Sequence, residues 1–197
     1  SGINLPSYGL DTGVSLVSLI EQAATVPGIR RIRLGSLEPD LLSDEDMARL
    51  ANADALCPQL HRSLQSGCTA TLRRMRRTYT SEQYADTVAR WRAGFGEDRV
   101  SFTTDVIVGF PGETEEEFCE SMAFVQRIGF LKAHVFPYSR RSGTPAYDFP
   151  DQIHEREKQE RSRRMNAVAE QVRRETLAAF EGTEDEVLLE PPLSGTL

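Results

Sequence analysis

Cysteine is scarce in this chain, and its placement argues against a framework. The 197 residues contain three cysteines, Cys57, Cys68 and Cys119. An odd number at wide spacing does not suit a disulfide scaffold, and no two lie close enough for a C-x2–4-C metal motif. Reduced thiols in a cytoplasmic protein are expected, with Cys57 and Cys119 buried and Cys68 in a turn. Long apolar runs are missing as well: no stretch approaches the roughly 20 residues that cross a bilayer. No basic, apolar, small-residue leader opens the chain. Positive charge is in deficit, since 23 Lys and Arg face 30 Asp and Glu for a net charge of −7. A dedicated nucleic-acid binder is usually basic, so the average argues against one. The distribution is less simple. Arg73, Arg74, Arg76 and Arg77 form one cluster, Arg140 and Arg141 a second, and Arg161, Arg163 and Arg164 a third.

What the chain has in plenty is alternation of two periods. Within residues 13–27, Leu16, Leu19, Ile20 and Ala23 fall on one helical face, with Gly28 as the stop. "IRRIRL" (29–34) is a short strand running into the loop "GSLEP". Ser43 with Asp46 makes an acidic capping box for a helix that turns Met47 and Leu50 inward. "LCPQLHRSL" (56–64) is the next strand, "QSGC" (65–68) a turn, and a helix with Leu72 and Met75 follows. Thr80 and Gln83 cap a helix striped with Tyr84, Val88 and Trp91. "VSFTTDVIVGF" (100–110) is rich in β-branched residues and is the clearest strand. Thr114 and Glu117 cap a helix with Phe118, Met122, Val125 and Ile128 on one face, closed by Gly129. "KAHVFPY" is a strand, "SRRSGTP" a loop, and roughly residues 153–180 a long helix with Met165, Val168 and Val172 at helical spacing.

Strands separated by helices run parallel, because a crossover helix returns the chain to the same end. The loops "GSLEP", "QSGC", "GFPGET" and "YSRRSGTP" therefore gather at the C-terminal edge, where α/β folds carry their sites. Four parallel strands do not close a barrel. The expected fold is α/β, a partial parallel (β/α) barrel over residues 1–150 with a linker helix over 151–182. "SGINLPSYG" reads as a strand-end loop without its strand and "EDEVLLE" as a lone strand. The chain is therefore expected to be the middle and end of a larger protein.

Several side chains at that edge suit ligand chemistry. Glu38, with Ser36 beside it and Pro39 behind, offers a carboxylate to ribose hydroxyls; a solvated turn residue is the plain alternative. Gln65 and Ser66 offer an amide and a hydroxyl, or Ser66 simply caps its own turn. Asp105 shares the parity of Ile107 and Gly109 and so points inward, to a ligand or to a buried arginine. His61 suits a core position and a site position equally. Arg140 and Arg141, in a glycine-containing loop, are candidates for phosphate contacts. Arg73, Arg74, Arg76 and Arg77 suit RNA or a solvated face. The long helix carries charge on most faces and reads as a strut.

Together "SLEP" (36–39), "HRSLQSGC" (61–68), "RMRRTYT" (74–80), "DVIVGFPGETEEEF" (105–118) and "HVFPYSRRSGTPA" (134–146) resemble the radical S-adenosylmethionine (SAM) methylthiotransferases. The resemblance spans essentially the whole chain, in the right order. It is nearest to the branch that acts on threonylcarbamoyladenosine of tRNA. The isopentenyladenosine branch is next, and the branch that modifies a ribosomal-protein aspartate is more distant. It implies the C-terminal part of a radical SAM (β/α)6 barrel, with residues 183–197 as the first strand of a truncated RNA-binding TRAM domain. It implies SAM and two [4Fe–4S] clusters in the parent enzyme, the anticodon loop of tRNA as substrate, and flavodoxin or ferredoxin as electron donor. It places Gly2 and Asn4 at the SAM amino group, and the Val135 backbone and Phe136 ring beside an adenine. The CxxxCxxC motif of the family is absent, so the chain by itself is expected to be inactive. An ordinary barrel lyase or hydrolase using Asp105, Glu38 and His61, and a non-catalytic RNA-binding module, are the competing expectations.

Overall fold

The structure, a computed structural model, describes residues 5, 8–9, 13–35, 42–96 and 99–184. The first helix, α1 (Leu16–Ala24), starts where the Ser15 side chain accepts the Ser18 N–H at 3.1 Å. It buries Leu16, Val17 and Ile20 and leaves Leu19 exposed. The apolar stripe is thus rotated from the expected one, with Val17 at 1% exposed taking the place of Leu19. Thr25 caps α1, and Gly28, at φ +93°, turns the chain only afterwards. The expected strand over 29–34 contracts to a single parallel bridge between Ile32 and Leu56.

The remaining elements follow the expected order. They are α2 (Asp44–Ala51), β1 (Gln59–His61), α3 (Thr69–Arg74), α4 (Ser81–Phe95), β2 (Ser101–Val108), α5 (Glu115–Ile128), β3 (Lys132–Pro137) and α6 (Glu155–Ala178). A one-turn 3-10 helix, Pro145–Asp148, lies before α6. All three capping boxes form: Ser43 with Asp46, Thr80 with Gln83, and Thr114 with Glu117. Gly129 ends α5 in the left-handed region at φ +71°, as a C-cap glycine should.

The strands make one parallel sheet in the order β1–β2–β3. His61 pairs with Thr103, and Asp105 with His134. Every bridge among the described residues is parallel, and the sheet does not close. Helices cover one face. There Phe102, Val106 and Val108 of β2 meet a core that includes Tyr84, Trp91, Phe118, Val125 and Met165. Burying each such side chain is worth about 1.5–3 kcal/mol, so this face holds the fold together. The helix α6 lies against β3 and α5 and buries Met165, Ala169 and Val172.

The cysteines are distributed differently from expectation. Cys68 is buried, Cys57 half-buried and Cys119 exposed. Cys119 follows Phe118 on α5, one step round the helix from the covered face. Cys68 begins α3, beneath the turn. The expected strand "EDEVLLE" lies, from residue 185 on, outside the described residues.

Candidate functional site

The face of the sheet away from the helices carries a polar ladder. Burial alternates along β2, with Ser101, Thr103, Asp105 and Ile107 on the open side. The register sets His61 beside Thr103, Lys132 beside Thr103, His134 beside Asp105, and Phe136 beside Ile107. The Asp105 carboxylate accepts from Ser63 Oγ at 3.1 Å and lies 3.3 Å from His61 Nε2. His61 Nδ1 is 2.9 Å from Thr103 Oγ1. Asp105 therefore points to the open face as its parity predicts, and its partners are a histidine and a serine. Phe136 is 51% exposed at the top of this face, a bare aromatic on which a base can stack.

Above the ladder the β1 edge slips. His61 pairs with Thr103 but Gln65 pairs with Val106, so four residues of advance oppose three. One extra residue makes a bulge, a device that re-aims a side chain at a strand end. The displaced carbonyls and amide are all satisfied. Thr104 Oγ1 donates to Arg62 O at 2.6 Å and accepts from Leu64 N at 2.9 Å. Tyr84 donates to Arg62 O, and Tyr79 to Ser63 O and Leu64 O. The bulge ends at Gln65, in the left-handed region at φ +66°. Gln65 is only 9% exposed as a residue; its side-chain amide is not sealed from solvent and makes no hydrogen bond among the described residues. Such strain in a non-glycine residue gathers at ligand sites.

Gln65 and Ile107 line a cleft of ≈ 200 Å³ with Phe110, Phe149, Thr144 and the turn from Arg74 to Arg77. Several arginines face acids, as Arg49 does Glu21, Arg127 Glu82, and Arg164 Glu115. Arg74 is spent the same way on Glu117. Arg73, Arg76, Arg77 and Arg141 are exposed and have no acid partner among the described residues. Arg140 lies over the Tyr147 ring at 4.1 Å and donates to Tyr147 O. The rim thus carries a group of exposed arginines without an acid partner among the described residues, in a chain of net charge −7.

The loops at this edge are tied to α6. Glu113, 2% exposed, accepts the Gly109 N–H at 2.7 Å and Arg161 Nη1 at 2.8 Å. Burial pushes its carboxyl above the ordinary range, against the pull of Gly109 and Arg161. The third arginine cluster of the sequence is thereby dissolved: Arg161 goes to Glu113, Arg163 to Glu160, and Arg164 to Glu115. Sequence reasoning missed Arg161 as a buried residue. The signal was its place on the stripe that continues through Met165, Ala169 and Val172, at helical spacing.

The structure brings Gln65, Asp105 and Phe136 to the open face and its rim. It does not bring Ser66 there. Ser66 is fully buried and its hydroxyl accepts the Cys68 N–H at 3.2 Å, while Gly67 sits so close to α5 that a Cβ would fall 2.5 Å from Phe124. The turn 65–68 is thus divided between a rim residue and a packed bend. Val135 sits on the opposite side of β3 from Phe136 and packs on the core. Gly2, Asn4, Ser36 and Glu38 lie outside the described residues.

The donors fit an adenosine group, through an unpartnered amide, an exposed ring and an apolar Ile107. They do not fit an iron–sulfur cluster. Burial pushes the Cys68 thiol up, away from the thiolate a metal needs. No group of three or more His, Cys, Asp or Glu suited to a metal exists among the described residues.

Comparison with known proteins agrees with the fold. Residues 3–125 match the Radical SAM superfamily. The chain is 40% identical over 190 residues to "Threonylcarbamoyladenosine tRNA methylthiotransferase MtaB" of Chlamydia pneumoniae, covering 96% of this chain and 44% of that one. It is 40% identical over 190 residues to "tRNA-2-methylthio-N(6)-dimethylallyladenosine synthase" of Acidothermus cellulolyticus, covering 95% of this chain and 38% of that protein. The chain thus spans less than half the length of these curated relatives. Among solved structures it resembles coproporphyrinogen III oxidase (HemN) from Escherichia coli, with a TM-score of 0.58 at 20% identity over 72% of this chain and 32% of that one. It also resembles the methyltransferase TsrM from Kitasatospora setae, with a TM-score of 0.53 at 18% identity over 67% of this chain and 26% of that one. These two likenesses concern the fold alone. An open parallel sheet and a family match over residues 3–125, more than half of its length, make this chain a member of the radical SAM superfamily.

Proposed function

We propose that this chain is the part of a tRNA methylthiotransferase that binds the adenosine of SAM and presents an adenosine of tRNA to it. The observation that carries the proposal is Gln65: a residue at positive φ, 9% exposed, whose side-chain amide makes no hydrogen bond among the described residues, at the head of a cleft that Arg76 and Arg77 line without an acid partner among those residues. Gln65 would hydrogen-bond an adenine edge, Phe136 would stack on the base, and Ile107 would pack beside it. Asp105, steadied by His61 and Ser63, would orient a polar group below. Ser36 and Glu38 are proposed for the ribose, Gly2 and Asn4 for the amino-acid end of SAM, and Ser66 and Val135 contribute backbone only. SAM, when bound beside a reduced cluster, supplies the one-electron hydrogen abstraction of this superfamily. The cluster ligands, the second cluster and an electron donor such as flavodoxin or ferredoxin are proposed to come from outside these residues, so that the chain alone does not turn over.

Arg140 and Arg141, joined by Arg73, Arg76 and Arg77, would hold the phosphates flanking the anticodon-loop nucleoside in the cytoplasm. Threonylcarbamoyladenosine is the preferred substrate, because "LQSGC" and "HVFPYSRRSGTPA" look nearest to that branch; the isopentenyl nucleoside is the second reading. The test is binding of an anticodon stem-loop over a salt series. Arg73, Arg76 and Arg77 changed together to alanine should weaken binding and flatten the slope of log K against log salt by roughly one per arginine. An unchanged slope would remove the RNA reading.

A further inference from the structure

We propose that Lys158 and Arg161 of α6 are positioning residues for the adenosine site, so that α6 braces the loops of the site from behind as well as supporting the fold. Both are cations, and both are buried, at 8% and 2% exposed. Each reaches a different loop. Arg161 Nη1 donates to Glu113 O and to Glu113 Oε2, both at 2.8 Å. The same Oε2 accepts the Gly109 N–H, so one carboxylate ties the two ends of the "GFPGE" turn to the helix. Lys158 Nζ donates to Tyr138 O at 3.1 Å, at the end of β3. Its stem lies against Gly109, where a Cβ would come 2.6 Å from Lys158 Cγ.

The two loops are also tied to each other. Phe110 meets Tyr138 edge-on at 5.2 Å and Phe149 at 6.1 Å, and the Gly112 N–H donates to Asp151 O at 3.0 Å. Gly109 lies two residues past Ile107, and Tyr138 two past Phe136. Any shift of either loop therefore moves the two apolar surfaces assigned to the base. Apolar side chains at 158 and 161 would seal the helix interface as well or better, because buried charges are costly to desolvate. What apolar side chains lack is direction: a guanidinium and an ammonium fix particular oxygens in place.

This inference rests on the proposed adenosine reading. The experiment uses 5′-methylthioadenosine, the adenosine half of SAM, which needs no cluster, titrated calorimetrically into the chain. Amide exchange over residues 109–113 and 138–141 is followed alongside. Lys158→Met and Arg161→Met should each weaken binding at least about ten-fold, the worth of one hydrogen bond, and should speed exchange in the loops. Arg161→Met leaves Glu113 buried and unpaired and is prone to unfold. The neutral pair Glu113→Gln with Arg161→Met avoids this: its melting temperature should stay near wild type while its affinity falls as far. Neutral-pair and Lys158→Met proteins that fold, with affinity or loop exchange unchanged, would overturn the positioning role. A wild-type chain that does not bind the probe would overturn the adenosine reading itself, and the positioning role with it.

Discussion

Phe102, Thr104, Val106 and Val108 point from β2 toward the helices and are at most 1% exposed, whereas Thr103, Asp105 and Ile107 point the other way and stay half-open. The two sets alternate in one eight-residue strand. Parallel strands are usually apolar on both sides because both are covered. Here only the helix side follows that rule. The other side spends its residues on a histidine, an aspartate, a serine and a threonine that bond each other and leave an aromatic bare. Stability and chemistry are thus separated by a single-residue step, which lets the open face vary with little cost to the fold.

The contrast is sharpest in urea denaturation. Phe102→Ala should lose about 3–5 kcal/mol, the usual cost of emptying a buried phenyl site. Thr103→Ala, its neighbour on the open face, should lose no more than about 1 kcal/mol. Equal losses would end the two-face description. Thr104→Val keeps shape but removes the acceptor for the Leu64 N–H inside the bulge, and should cost about 1–3 kcal/mol. A neutral result would mean that the bulge does not depend on that hydroxyl.

Gln65→Gly should move stability the other way. Glycine relieves the left-handed strain, for a gain of up to about 1 kcal/mol, while binding of 5′-methylthioadenosine is lost. A variant that gains stability and still binds would separate the strain from the site. The smallest effect belongs to the outer helices. Arg164, by its hydrogen bond first, holds the Glu115 carboxyl below its ordinary value of 4.5. A lowered acid stabilises the fold above that value and loses the contribution as pH falls through the folded one. Both side chains are largely solvated, so Arg164→Ala should cost only a few tenths of a kcal/mol at pH 7, vanishing in acid.

Helix starts were legible because a capping box joins residues three apart, and all three boxes formed where Ser43, Thr80 and Thr114 stand. The inward aim of Asp105 was legible from the two-residue period of a strand. The rotated face of α1 was not, since Leu19 and Val17 are equally apolar and only tertiary packing selects between them. Nor was the placement of the cysteines, whose short side chains suit either environment. At the site, Gln65 could be singled out for its position at a strand end, but the register slip that turns it to the rim could not be seen.

Taken alone, the order of residues determined the alternation of helix and strand, the parallel direction of the strands and the edge at which the loops collect. Those features follow from interactions within a few residues and from the geometry of crossover helices. Tertiary structure alone decided which arginines are left to meet an anion and which are consumed. Arg161 reaches Glu113 across 48 residues and Arg74 reaches Glu117 across 43. A charge can be neutralised by any opposite charge that folding carries to its side, and which one arrives depends on the whole packing of the helices around the sheet.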